Sequence, residues 1–163
     1  MKKLKTLEDI REVGLDNMPG FVMNRTYCGL KKLNFMRLQK EGTQFNAPEE
    51  FALLVRIFEK PNLTQNEYSE LTFKDKTTVT RHIKSLENKG LIKREQDDQD
   101  KRQWRVNVRP AGEKVLKVFF TNVLSTSEKM AKRITKRDME TTLKTLKIMQ
   151  EVVYELLEEE SQA

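Results

Sequence analysis

Between Lys74 and Leu91 the chain reads KDKTTVTRHIKSLENKGL, a run in which small hydroxyls and cations recur at helical spacing. At 100° per residue Thr77, Arg81, Lys84 and Asn88 share one side of a helix, with Thr78, Thr80 and Ser85 on its flanks. No acid stands between Lys76 and Lys84. Hydroxyls beside cations donate to phosphate oxygens and to base edges, and a carboxylate in the same place would repel the phosphates. Lys74 and Lys76 add positive charge at the start of the run. On the opposite side Val79, Ile83 and Leu86 fall at i, i+4 and i+7, which predicts a buried stripe. Asp75 is placed to cap the first turn by accepting from the amide of Thr77 or Thr78, and Gly90 to end the helix in a left-handed conformation. An ordinary amphipathic surface helix has the same pattern, so the neighbouring elements decide between the two readings.

Just before this run, Thr64-Gln-Asn-Glu67 has the capping-box pattern and predicts a short helix that leads through Leu71-Thr-Phe73 into the Lys74 segment. Helix, short turn and second helix make a helix-turn-helix. After Gly90 the period changes. Ile92–Gln96 and Trp104–Val108 carry β-formers around the polar tip DDQDKRQ and predict a two-stranded hairpin, a wing. Upstream, PEEFALLVRIFEK from Pro48 predicts an apolar central helix with Glu49 and Glu50 at its favourable positive end. A longer helix is predicted from about Pro19 to Glu41. Met23, Tyr27 and Leu30 lie on one of its sides and Phe35 and Leu38 farther round, which suggests burial on more than one side. Residues 1–18 read as an arm or short helix.

Composition bounds the function. The 163 residues, 37% hydrophobic, are long enough to bury a core. The net charge of +6 and a pI near 9.4 favour an anionic partner. Residues 1–62 and 64–109 each hold 11 basic and 8 acidic residues, while 113–160 hold 9 of each, so the excess lies away from the C-terminal part. A single cysteine excludes an internal disulfide framework. The opening MKKLKTLEDI lacks a signal-peptide apolar run and no window approaches the roughly 18 apolar residues of a membrane span, so a cytoplasmic protein without membrane contact is expected. The six glycines form no phosphate-binding loop, and one histidine with one cysteine forms no metal cluster. Neither enzyme activity nor a cofactor is expected.

The run from Leu63 to Leu116 resembles the DNA-binding core of the MarR (multiple antibiotic resistance regulator) family of winged-helix transcription factors. The resemblance is carried by Leu63-Thr64, Thr77-Thr78-Val79-Thr80-Arg81, Leu86-Glu-Asn-Lys-Gly90-Leu91 and the wing signature Asp100-Lys101-Arg102. It implies a mainly α fold with a small β wing, a winged helix-turn-helix with N- and C-terminal dimerisation helices, and double-stranded DNA as partner. It also implies that Arg102 enters a minor groove while Asp100 helps to hold the wing tip. The expected DNA-contacting set is Thr64, Lys74, Lys76, Thr77, Thr78, Thr80, Arg81 and Lys84 on the helix-turn-helix, with Asp100, Lys101, Arg102 and Arg105 on the wing. One departure is Val108-Arg109-Pro110, where the family has leucine and threonine before the proline. Arg109 cannot cap as threonine does, so a differently bonded helix entrance is expected.

Two long helices are predicted to close the chain, from Pro110 to about Arg133 and from Thr135 to about Glu160. Leu116, Phe120, Val123, Ser127, Met130 and Ile134 form a seam on the first, and Met139, Leu143, Leu146, Gln150, Val153 and Leu157 a seam on the second. Such seams fit a coiled coil within one chain or a pairing between chains, and the resemblance favours a homodimer. The expected organisation is an arm over 1–18, a dimerisation region over 19–45 and 110–160, and a DNA-binding domain over 46–109. The resemblance further implies a repressor of a pseudopalindromic operator, released by a small aromatic or phenolic effector. Tyr27, Arg56 and His82 are candidate linings of the effector site by position. Cys28 reads as a buried small apolar residue. The competing functions are a winged helix that binds an acidic protein, and a thiol-switched regulator working through Cys28.

Overall fold

A computed structural model describes residues 6–43 and 45–162. Its elements are α1 (Leu7–Val13), a 3-10 turn (Leu15–Asn17), α2 (Pro19–Lys40), α3 (Pro48–Glu59), β1 (Leu63–Thr64) and α4 (Gln65–Thr72). They continue with α5 (Lys76–Asn88), β2 (Ile92–Gln96), β3 (Trp104–Val108), α6 (Pro110–Ala131) and α7 (Lys136–Gln162). The chain divides into two units, Met1–Asn122 and Val123–Ala163. No helix among the described residues is long and apolar enough to cross a membrane.

The first unit is built around the stripe predicted for α5. Val79, Ile83 and Leu86 are buried there with Leu38 of α2, Leu54 and Ile57 of α3, Tyr68 of α4, Ile92 and Val106 of the wing and Leu116 of α6. Phe51 joins α3 to its surroundings, with Phe45 at 5.1 Å edge-on and Phe119 at 4.6 Å between ring centroids. The sheet has three strands, not the expected two. Its order is β1-β3-β2, all antiparallel, with Leu63 opposite Val106 and Thr64 opposite Arg105. A two-residue strand shows no alternation, so it left no trace in the sequence pattern.

The entrance to α6 is bonded differently from a threonine cap, as the departure at Arg109 suggested. The Arg109 amide donates to the Leu91 carbonyl at 2.9 Å, and Pro110 begins the helix. A Cβ on Gly112 would stand 2.3 Å from that same carbonyl oxygen and 2.8 Å from Val108 Cγ1. Glycine is required here by close approach, not by backbone angle.

The expectation that α2 is buried on more than one side is corrected: Leu38 is its one buried residue, and Phe21, Val22, Met23, Tyr27 and Met36 are exposed. The second unit holds the end of α6 and α7. Thr135 caps α7 by accepting from the Asp138 amide at 3.2 Å, one residue from the predicted start. No residue of α7 is buried, and its seam residues Leu143, Leu146, Val153 and Leu157 are exposed.

Candidate nucleic-acid interface

The helix-turn-helix is held by caps at both of its helices. Thr64 accepts from the Glu67 amide while the Glu67 carboxylate accepts from the Thr64 amide at 2.7 Å, the reciprocal box expected. Phe73, in the left-handed region at φ 52°, ends α4. Asp75 then caps α5, accepting from the Thr78 amide at 2.8 Å, and this bond holds its carboxyl below the usual range. With the cap set, Lys76, Thr77, Arg81, Lys84 and Asn88 stand exposed, Thr78 and Ser85 are half-buried, and Lys74 is exposed just before the helix.

Thr80 is used differently from its neighbours. Its hydroxyl donates to the Lys76 carbonyl at 2.6 Å and accepts from Gln65 Nε2, so it ties α5 to α4. His82 is buried, and desolvation followed by the positive charge of Arg81 pushes its pKa down. Behind α5 lies Glu50, expected only as an acid at the positive end of its helix and in fact fully buried. It accepts from Lys89 Nζ at 2.5 Å and the Asn46 amide at 2.7 Å. Burial pushes the carboxyl up, but the bonds from Lys89, Ser85 and Asn46 outweigh it and leave the group ionised below its ordinary value. This anchor fixes the end of α5 to the start of α3.

The wing tip is organised by Asp97, a residue the sequence reading passed over. Its carboxylate accepts from the amides of Gln99 at 2.9 Å and Asp100 at 2.8 Å and from Arg105 Nε at 2.5 Å. The amide bonds, with Arg105, hold its pKa down at about 2. Asp100 does hold the tip, accepting from the Arg102 amide at 3.0 Å and from Gln103 Nε2 at 3.1 Å. Arg105 is turned into the protein: besides Asp97 it reaches the Asn62 carbonyl and Glu67, each at 3.3 Å. Lys101 pairs with Asp98 at 3.4 Å, both well exposed.

A distinction among the cations follows. Lys89, Lys93, Arg94, Lys101 and Arg105 are all in ion pairs. Among the described residues Lys74, Lys76, Arg81, Lys84 and Arg102 enter none, and all five are exposed on α5, its approach or the wing tip.

The effector residues separate. Tyr27 and Arg56 line one cavity of about 350 Å³ between α2, α3 and α6, walled by Leu30, Phe35, Phe51, Val55 and Phe119. His82 is not among its linings and is corrected to a buried residue of α5. Lys31 and Asn34, not singled out from the sequence, complete the polar lining. Lys31 pairs with Glu49 at 2.9 Å, and Asn34 Oδ1 is buried without a hydrogen-bond partner among the described residues. Cys28 is exposed, 3.8 Å from Asn24 Oδ1, which corrects the expectation of a buried thiol.

Residues 47–104, the span from the start of α3 to the start of β3, match the MarR family. Over these residues the chain is similar to the MarR family, and its fold is that of a winged helix-turn-helix. Among its curated relatives, the transcriptional regulator HosA of Escherichia coli O127:H6 is 28% identical over 129 residues, covering 77% of this chain and 95% of HosA. A MarR-family regulator from Silicibacter pomeroyi has a similar fold, with TM-score 0.71, 24% identity, and coverage of 86% of this chain and 92% of that one. So does the Staphylococcus aureus regulator MepR, solved in complex with DNA, with TM-score 0.69 at 18% identity over 88% of this chain and 99% of that one.

Proposed function

We propose that the chain acts as a homodimer that binds a pseudopalindromic operator in double-stranded DNA, represses transcription there, and is released by a small aromatic or phenolic ligand. The observation that carries the DNA-reading part is the sorting of the cations. Five that face outward on α5, its approach and the wing tip are free of ion pairs, while those around them are committed to carboxylates. Free cations release counterions on phosphates without first breaking an internal bond. In this reading residues 46–109 form the DNA-binding domain, with Thr77 and Arg81 toward bases, Lys74, Lys76 and Lys84 toward phosphates and Arg102 in the flanking minor groove. Thr78 lies beside that surface, Thr64, Thr80, Asp100 and Arg105 hold it in shape, and Lys101 adds charge at the tip.

Of the arm expected over 1–18, residues 1–5 lie outside the described residues and α1 with the 3-10 turn form the described part, and in this reading 19–45 with 110–160 pair with a second copy through the exposed apolar faces of α2 and α7. The ligand reading is supported by the apolar cavity with Tyr27 and Arg56, whose Asn34 oxygen calls for a donor such as a phenolic hydroxyl. The cations lining it, Lys31 and Arg56, are paired with Glu49 and Glu59, so an anionic ligand must compete with them.

Sequencing the duplex fragments retained by the purified chain tests the proposal. Inverted half-sites whose centres lie about 34–36 Å apart are expected, each flanked by A/T-rich sequence. Fragments without an enriched sequence would contradict it.

A further inference from the structure

Beyond the tip, the wing carries an aromatic residue where a solvent-exposed hairpin does not need one. Trp104, the single tryptophan of the chain, opens β3 and is 46% exposed. The strand register explains which way it faces. Ile92 is opposite Val108, Arg94 opposite Val106 and Gln96 opposite Trp104, so these six share the face of the sheet that farther back enters the core. Toward the tip the core ends, and the Arg94 guanidinium lies 5.7 Å from the indole ring centroid. Trp104 also lines a cleft of about 460 Å³ between the wing and the start of α4, with Arg94, Arg102, Gln103, Gln65 and Asn66 among others.

Charge in this cleft is set by which groups are already engaged. Glu67 also lines it, but its carboxylate accepts from the amide and hydroxyl of Thr64 and pairs with Arg105. Glu87, nearby, is held by Arg94 at 2.6 Å. Arg102 has no such partner among the described residues. The cleft therefore presents the tryptophan, a guanidinium free of ion pairs, neutral amides and the engaged carboxylate of Glu67, and it adjoins the wing tip whose Arg102 is proposed to meet DNA.

We propose that this cleft seats a stretch of the sugar–phosphate backbone of double-stranded DNA, with deoxyribose against the Trp104 indole and phosphate on the Gln65 and Asn66 amides, while Arg102 at its rim continues into the minor groove. The proposal rests on the DNA-reading function above and adds to it a sequence-independent contact on the flank of the wing. The indole offers an apolar plane for the sugar, and the side-chain amides supply donors to the phosphate. Because the contact involves no base edge, it contributes equally on every sequence.

The lone tryptophan provides the test. The full-length protein is titrated with an end-labelled mixed-sequence duplex at low salt, following label anisotropy for binding and indole emission with acrylamide quenching for coverage. Emission should change in step with anisotropy, and acrylamide access should fall in the complex. Trp104→Ala should weaken binding to all duplexes by about five- to tenfold, the low end of aromatic contacts, whereas Trp104→Phe should stay within about twofold. Trp104→Phe, with an unchanged melting temperature, separates a contact from a folding defect. A duplex that binds by anisotropy while the indole stays as accessible as in the free protein overturns the cleft proposal and leaves the DNA-reading function standing. Failure of any duplex to bind overturns both. If inorganic phosphate alone reproduces the loss of acrylamide access, the cleft is a simple anion site and the backbone proposal is overturned.

Discussion

Helices α5 and α7 are both amphipathic, yet they stand at opposite ends of burial. The 13 residues of α5 bury Val79, His82, Ile83 and Leu86, while none of the 27 residues of α7 is buried. Burying a leucine or valine side chain stabilises by roughly 1.5–3 kcal/mol, so α7 forgoes a large gain at Leu143, Leu146, Val153 and Leu157. A continuous exposed seam of this kind marks an interaction surface. The contrast separates a unit whose core is completed by its own chain from a helix whose apolar face is left uncovered by the described residues.

The contrast is broken most severely by charging the seam. Leu143→Asp combined with Leu146→Asp should turn a dimer into a monomer in equilibrium sedimentation and weaken operator binding by about a hundredfold or more. A double variant that stays dimeric would remove the reason for assigning α7 to the partner. Next in size is Gly112→Ala, which pushes a methyl group against the Leu91 carbonyl and Val108. Overpacking of this kind costs about 1–3 kcal/mol, to be seen in the denaturation midpoint, with dimerisation through α7 retained.

A smaller effect is expected at the wing. The Asp97 carboxyl is held down at about 2 from an ordinary 3.8. Its contribution is therefore fully present above about 3.8 and is lost as pH falls through about 2. Amide signals of Gln99 and Asp100 should keep their ordered positions at pH 5 and broaden only in that acid window, and Asp97→Asn should abolish the dependence. Smallest of all, Cys28→Ser should leave operator affinity unchanged, and peroxide should not release DNA from the native chain. Release that disappears in the variant would favour a thiol switch.

What was legible in the sequence depended on neighbours within a turn or two. The α5 stripe, the Asp75 cap, the Thr64–Glu67 box and the wing strands are all local patterns, and each stands within a residue or two of where it was expected. The misses depend on residues far apart in the chain. Lys89 finds Glu50 across 39 positions, and Arg105 finds Glu67 across 38. No periodicity foretells such pairs, so Glu50 looked like a helix-dipole acid and Arg105 like an outward cation. Tyr27 and Arg56 meet in one cavity, but His82 faces another way because α5 turns it inward. For Cys28 the pattern of α2 suggested burial that the chain alone does not supply.

The sorting of cations into free and paired is the centre of the account, and a salt series tests it most directly. Operator affinity would be measured against salt for the native chain, Lys84→Ala, Arg102→Ala and Lys93→Ala, the last removing a lysine already paired with Glu95. Lys84→Ala should make the log–log slope shallower by about 0.9, as one lost phosphate contact requires, and Lys93→Ala should leave it unchanged. Arg102→Ala should cost more on A/T-rich flanks than on G·C-substituted ones. Equal slopes for Lys84→Ala, Lys93→Ala and the native chain, with no flank dependence at Arg102, would contradict the account.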